Sequence, residues 1–271
     1  MSTIDGEEVR SAVREHYGKV AELDGPGCAP GCCGAGAQSS LKLGYSEADL
    51  ASLPAGADLG LGCGNPQSIA ALRPGDTVVD LGSGAGFDCF LAARKVGTAG
   101  KVIGVDMTPA MVTKARENAR KANVQGVEFR LGEVEHLPVS DSTADVILSN
   151  CVINLVPDKR AAFAEALRVL KPGGRLAISD VVTTAPLPRE LQEKISALTG
   201  CISGAMSADE LRQILLEVGF AEVRIDVKPE SRDFIRDWIP GSGSEDYVAS
   251  ATIEAVKPKS GACCDPGCCS D

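Results

Sequence analysis

Eleven cysteines in 271 residues are the chemistry-bearing feature of this chain, and their layout says more than their number. Cys28, Cys32 and Cys33 lie near the start in PGCAPGCCG, and Cys263, Cys264, Cys268 and Cys269 close the chain in CCDPGCC. Four stand alone: Cys63 in GLGCGNP, Cys89 in GFDCFLAA, Cys151 in ILSNCVINL and Cys201 in TGCISGAM. Thiols in bulk beside a glycine-rich loop point to chemistry on something soft and thiophilic. The 27 basic and 37 acidic residues give a net charge of -10 without a basic stripe, so nucleic acid is not an expected partner. No apolar stretch is long enough to span a bilayer, and the opening MSTIDGEEVR lacks the basic and apolar regions of a signal peptide. The expectation is a cytoplasmic protein, monomeric and away from membranes, whose thiols stay reduced. A disulfide scaffold is not expected there, and metal, metalloid or redox work is favoured.

The elements that must position these thiols alternate from about residue 75 onward. Short β-branched runs read as strands at Thr77–Leu81, Lys101–Asp106, Val127–Leu131, Ala144–Ser149 and Arg175–Asp180, with helical patterns between them. Thr108 and Pro109 read as cap and first residue of one helix, and Lys171-Pro172-Gly173-Gly174 reads as the stop of another. Ser207 and Glu210 form a capping-box pattern before a helix that Gly219 ends, and two more strands follow at Glu222–Val227 and Tyr247–Val256. Such alternation predicts an α/β, doubly wound, largely parallel sheet. Four regions are expected: an N-terminal extension with a Cys-rich loop (1–70), a Rossmann-like core (71–183), a C-terminal region covering the substrate (184–258) and a Cys-rich tail (259–271).

The segment VVDLGSGAGFD puts Asp80 at a strand end, followed by Gly82, Gly84 and Gly86. Glycines there let the backbone approach a ligand, and the next helix offers its N-terminal amides. The G-x-G-x-G spacing differs from the G-x-G-x-x-G dinucleotide fingerprint and fits the methionyl end of S-adenosylmethionine better. Asp106, at the end of the second strand, can accept both ribose hydroxyls, and Glu133 after the third can accept the adenine amino hydrogens. A glycine loop after a strand can also be plain turn chemistry, and an acid like Asp106 occurs in NAD folds too. The combination, with VLKPGGRL, resembles class I S-adenosylmethionine-dependent methyltransferases. Ser83, Met107, Val134 and Asn150, each beside one of these positions or at the end of the fourth strand, complete the expected cofactor set.

Cys151 falls just past the fourth strand's carboxyl end, the edge where open α/β sheets bind ligands. Cys201 lies in a stretch expected to cover that edge, and Cys63 in a glycine-rich loop leading into the core. Three converging thiolates would bind a trigonal, thiophilic centre, and arsenic(III) suits such a site. It bonds three sulfurs as a pyramid and keeps a lone pair that can attack a sulfonium methyl without a general base, so the presence of only two histidines, His16 and His136, is no objection. Each thiol also has a plainer reading. Cys89, between Phe87 and Phe90, reads as a small buried apolar residue, Cys151 and Cys201 could be core residues, and Asp88 and Asp180 could be functional acids or ordinary capping groups.

The segments LGYSEADL, LPAGADLGLGCGNP, VVDLGSGAGFDCFLAARKVG, GEVEHLPV, LSNCVINLVPDK and VLKPGGRLAISDVV closely resemble arsenite methyltransferases, over roughly residues 10 to 255. The resemblance implies that Cys63, Cys151 and Cys201 are arsenic-binding thiols, and that one of Cys32 and Cys33 restores reduced thiols by exchange with Cys63. It implies arsenite or its glutathione conjugate as substrate, thioredoxin or glutathione as reductant, S-adenosylhomocysteine as co-product, and Tyr17 near the cofactor. Methylarsenite and dimethylarsenite are the expected products, in a detoxifying role. Cys263, Cys264, Cys268 and Cys269 are left unassigned, with metalloid capture, electron relay or neither open to them. Two competing functions are a methyltransferase for a carbon or oxygen nucleophile such as a quinone precursor, and a non-catalytic thiol-rich metalloid-binding protein.

Overall fold

The runs Thr77–Leu81 (β1), Lys101–Asp106 (β2) and Ala144–Asn150 (β4) are almost continuously apolar and almost wholly buried. Strands of that kind need cover on both faces, and they form the middle of a sheet. The computed structural model describes residues 6–22, 37–188, 200–238 and 241–259. It shows seven strands in the order β3-β2-β1-β4-β5-β7-β6, with Val127–Leu131 as β3, Leu170–Thr183 as β5, Ala221–Lys228 as β6 and Val248–Val256 as β7. Strands β1 to β5 pair in parallel, and β7 runs antiparallel between β5 and β6. This is the α/β doubly wound class I methyltransferase fold expected from the pattern. Among the described residues no helix is long and apolar enough to cross a membrane.

Helices cover both faces. Phe87–Val96 (α4) and Pro109–Lys121 (α5) pack with Val78, Val102, Val146 and Leu148 on one side. Lys159–Val169 (α6) and Ala208–Val218 (α8) pack with Val79, Ile103, Ile147 and Ile178 on the other. Before the sheet come Gly6–Glu22 (α1), Ala37–Lys42 (α2) and Glu47–Ala51 (α3), and the short Gly200–Ser203 (α7) and Arg232–Ile235 (α9) lie near β7 and the end of β4.

Two local expectations change. The Lys171-Pro172-Gly173-Gly174 segment stops α6 but does not form a free turn. It enters the sheet, with Gly173 N donating to Lys257 O at 2.8 Å and Lys257 N to Gly174 O at 2.8 Å, so β5 begins at Leu170 rather than Arg175. Thr108 sits at the N-cap of α5 without a side-chain cap; the Asp106 carboxylate accepts the Thr108 N–H at 2.8 Å instead. The capping box of Ser207 and Glu210 is present, and Gly219 closes α8 in the left-handed conformation.

Gly86 precedes α4 at φ +96°, and a Cβ there would lie 2.7 Å from the Phe90 ring and 2.8 Å from Phe129. Strain and crowding act together, so Gly86→Ala is expected to cost roughly 2–4 kcal/mol of stability. A urea midpoint indistinguishable from the parent's would contradict this account of the loop.

Candidate active site

β1 ends at Leu81, and the chain turns back over β2: Gly82 N and Ser83 N both donate to Val105 O, at 2.8 and 3.0 Å. This holds the glycine loop against a broad cleft. Gly82 has φ +66°, and a Cβ there would drive into Val152 at 2.3 Å. Gly84 has φ +50° and open space where its Cβ would be, while its N–H donates to Asp106 Oδ2 at 2.9 Å. Of the residues expected at the cofactor, Tyr17, Asp80, Gly82, Ser83, Gly84, Asp106, Met107, Val134 and Asn150 line the cleft.

Gly86 and Glu133 do not. Gly86 serves the backbone turn and the Phe90–Phe129 packing described above. Glu133 faces α1, with Arg14 at 3.5 Å and Arg10 at 3.9 Å. The acid that lines the cleft after β3 is Glu135, which is buried and accepts from Arg10 at 3.2 Å. Two residues of loop after β3 decide which carboxylate turns inward, and no pattern in LGEVEHLP reveals that.

The cleft floor adds Asp88, which the sequence left open between functional acid and capping group, to Asp80 and Asp106. Asp88 accepts from Tyr45 Oη at 2.9 Å and from Asn150 Nδ2 at 3.3 Å, and Gln67 Nε2 bonds its carbonyl at 2.9 Å. Cys89, fully buried as expected, also donates its S–H to Asp80 Oδ2 at 3.2 Å. Burial pushes Asp80, Asp88 and Asp106 above the ordinary carboxylate range, and at Asp80 the negative charges of Asp88 and Asp106 add to it. Such a site favours a cationic occupant. S-adenosylmethionine, with a sulfonium and an ammonium, fits it, and Ser83 Oγ is a buried hydroxyl with no partner among the described residues. Its ribose hydroxyls fit Asp106, and the glycine loop gives its methionyl end close approach.

Asn150 joins this cleft to the thiols. Its Oδ1 accepts the Cys63 N–H at 3.1 Å, and its Nδ2 donates to Gly64 O at 2.9 Å. One residue on, Cys151 adopts φ +60°, a left-handed conformation unusual for a side-chain-bearing residue, and its N–H donates to Ser179 O at 2.8 Å. Asn150 and Val152 line the cleft while Cys151 joins a buried cluster with Cys63, Cys201, Ile202, Ile235 and Trp238. The Cys63 and Cys151 sulfurs and an Asp180 carboxylate oxygen all lie within 4.8 Å of one another. Cys201, on α7, bonds Cys151 O through its sulfur at 3.3 Å, and the Cys151 thiol interacts with those of both Cys201 and Cys63. Cys63 and Cys201 therefore both neighbour Cys151, Cys63 within the 4.8 Å group and Cys201 outside it. Cys28, Cys32, Cys33 and the four cysteines of the tail lie outside the described residues.

Burial pushes the Cys63 thiol up to about 12. At Cys151 the hydrogen bond with Cys201 pulls down, but the bond with Cys63 and burial prevail, and it too titrates well above an ordinary thiol. Both are protonated at neutral pH. Asp180, held by the Ile153 and Val181 amides, is raised by burial to about 6 and remains mostly ionised there.

The raised acids make stability depend on pH in a definite sense. Burial raises Asp80, Asp88, Asp106 and Asp180 on folding, Asp180 to about 6, so folding takes up protons above the ordinary carboxylate range and stability rises as pH falls toward about 6. The ligand-free protein should melt at higher temperature at pH ~5.5 than at ~7.5, and saturating S-adenosylmethionine should shrink the difference by supplying positive charge to the same acids. Differential scanning fluorimetry checks both; a ligand-free midpoint that falls on acidification over this interval contradicts the assignment.

Comparison with known proteins identifies the family. A family model described as a methyltransferase domain matches residues 72–219. An arsenite methyltransferase of Halobacterium salinarum is 53% identical over 268 residues, covering 94% of this chain and 68% of that protein. One of Aquipseudomonas alcaligenes is 36% identical over 225 residues, covering 80% of this chain and 63% of that protein. The crystal structure of CrArsM, an arsenic(III) S-adenosylmethionine methyltransferase from Chlamydomonas reinhardtii, superposes with a TM-score of 0.59 at 31% identity, covering 82% of this chain and 73% of that one. The chain thus spans about two thirds of the length of the bacterial and archaeal relatives it matches. On identity of this extent, and on a matching fold, the chain belongs to the S-adenosylmethionine-dependent arsenite methyltransferases.

Proposed function

We propose that this chain transfers methyl groups to trivalent arsenic held by Cys63, Cys151 and Cys201, to give methylarsenite and then dimethylarsenite. The observation that carries the reading is the meeting of three thiols from three separate elements at the strand end whose next residues line the cofactor cleft. S-adenosylmethionine, when bound, supplies an electrophilic methyl group on a positively charged sulfur. The chain's residues do the rest.

Arsenite, or its glutathione conjugate, exchanges its three ligands for three protein sulfurs. With arsenite each thiol proton leaves in a water molecule, so the high thiol pKa values are no obstacle and no resident base is needed. The apolar surroundings of Ile202, Ile235 and Trp238 keep water from the bound metalloid. Arsenic keeps its lone pair, and that pair forms the new As–C bond. The rate then depends on orientation, which the Asn150 bridge between the Cys63 loop and the cleft wall maintains.

Transfer leaves arsenic formally pentavalent. A neighbouring thiolate attacks one arsenic-bound sulfur, an S–S bond forms, and the As–S electron pair returns to arsenic as its lone pair. One of Cys32 and Cys33 serves in this turnover, and thioredoxin or glutathione reduces the resulting disulfide. The terminal Cys263, Cys264, Cys268 and Cys269 are further thiols available for capture.

Cys151→Ser should bind S-adenosylmethionine as the parent does and lose arsenite methylation by on the order of 10²-fold or more, because the pyramid of sulfurs that aims the lone pair is broken. Unchanged methylation by that variant, or turnover of a phenolic panel ahead of arsenite by the parent, would refute the reading. Trp238, the chain's single tryptophan, packs in the thiol cluster, so its emission should change on titration with arsenite and respond far less in Cys151→Ser.

A further inference from the structure

Methyl transfer to a thiol-bound arsenic moves a positive charge. The neutral pyramid As(SR)3 uses its lone pair to bond carbon, the carbon–sulfonium bond breaks with its pair going to the departing sulfur, and the product CH3As(SR)3 carries the charge that the sulfonium has lost. A negative group beside the sulfurs therefore interacts weakly with the bound substrate and strongly with the transition state, which is the condition for acceleration.

One carboxylate is placed to do this. Asp180, on β5, is 1% exposed, and one of its oxygens lies within 4.8 Å of the Cys63 and Cys151 sulfurs. It is fixed by four donors: the Ile153 N–H at 2.8 Å, Val181 N–H at 2.8 Å, Asn154 Nδ2 at 2.9 Å and Asn154 N–H at 3.4 Å. Its charge is felt at both sulfurs. Lys159 is the cation whose field reaches Asp180 and Cys201, and it is half-buried rather than in hydrogen-bonding contact with the carboxylate. Capping of the Ile153–Leu155 turn would explain the amide bonds alone. It does not require the carboxylate to stand beside two thiols.

We infer that Asp180 is an electrostatic positioning residue for the transfer step, a fixed negative charge that stabilises the positive charge developing on arsenic. The inference rests on the arsenic-binding role proposed for Cys63 and Cys151. With an effective dielectric of about 20 and a separation of about 5 Å, one such charge is worth on the order of 10²-fold in rate.

The test separates binding from transfer in the full chain. Arsenite affinity is read from Trp238 emission without cofactor, and a single turnover is then started with saturating S-adenosylmethionine at pH ~8. Asp180→Asn is expected to keep arsenite affinity within about threefold, since free and bound arsenite are both neutral, and to slow the single turnover by on the order of 10²-fold. Asn154→Ala removes one of the four hydrogen bonds at Asp180, that from Asn154 Nδ2, and leaves the charge and its three backbone donors, so its single turnover should stay within about threefold of the parent. Lys159→Gln removes the opposing charge, and its rate should equal or exceed the parent's. A normal rate in Asp180→Asn, an equal loss in Asn154→Ala, or a tenfold fall in Lys159→Gln overturns the inference. Should Asp180→Asn not fold, the other two variants decide by the same limits. If the parent itself binds no arsenite, the proposed function fails, and that outcome is distinct from a parent that methylates with no help from Asp180.

Discussion

The carboxyl end of β4 is the constraint on which the rest of the site depends. Three consecutive residues there face different neighbours: Asn150 ties the Cys63 loop to the cleft, Cys151 turns into the thiol cluster, and Val152 packs against Gly82. A regular strand alternates its side chains between two faces and cannot serve three directions. The left-handed backbone at Cys151 makes the third direction available. Such a conformation persists only when its surroundings over-determine it. The Cys151 N–H bond to Ser179 and the Asp180 bonds to the next turn provide that restraint.

The two halves of the site differ in what they offer a ligand. The cofactor side gathers acids, Asp80, Asp88 and Asp106, whose burial is unfavourable until a cation arrives. The thiol side gathers sulfurs and apolar side chains, which favour a neutral, soft occupant. A reaction that carries positive charge from the first environment toward the second needs some negative potential at its destination, and Asp180 is the ionisable acid at the thiols. The sheet separates these tasks without distance, because neighbouring parallel strands deliver their carboxyl ends to one edge.

Much of the framework was legible in residue order. The observed limits of β1 and β2 coincide with the β-branched runs, since strands buried on both faces leave little freedom in where apolar residues stop, and those of the edge strand β3 coincide as well. The long β5 was not legible, because a Lys-Pro-Gly-Gly segment has no strand propensity and enters the ladder through Lys257, just past the neighbouring strand β7 and remote in sequence. Glu133 and Glu135 show the same limit in a loop. Both are acids two positions apart and both meet Arg10 on α1, and only the folded loop buries Glu135 at the cleft while leaving Glu133 beside Arg14.

By itself the sequence determined the alternating sheet, the glycine loop with its following acids, and a set of thiols spaced too widely for local chemistry. Periodicity and turn chemistry act over a few residues, so these features survive without a fold. Tertiary structure alone decided that Cys63, Cys151 and Cys201 become neighbours, that Tyr45, Gln67 and Asn150 converge on Asp88, and that Asp180 stands beside sulfur rather than solvent. Those encounters join residues separated by tens of positions, and their geometry comes from strand register and packing, which no local pattern encodes.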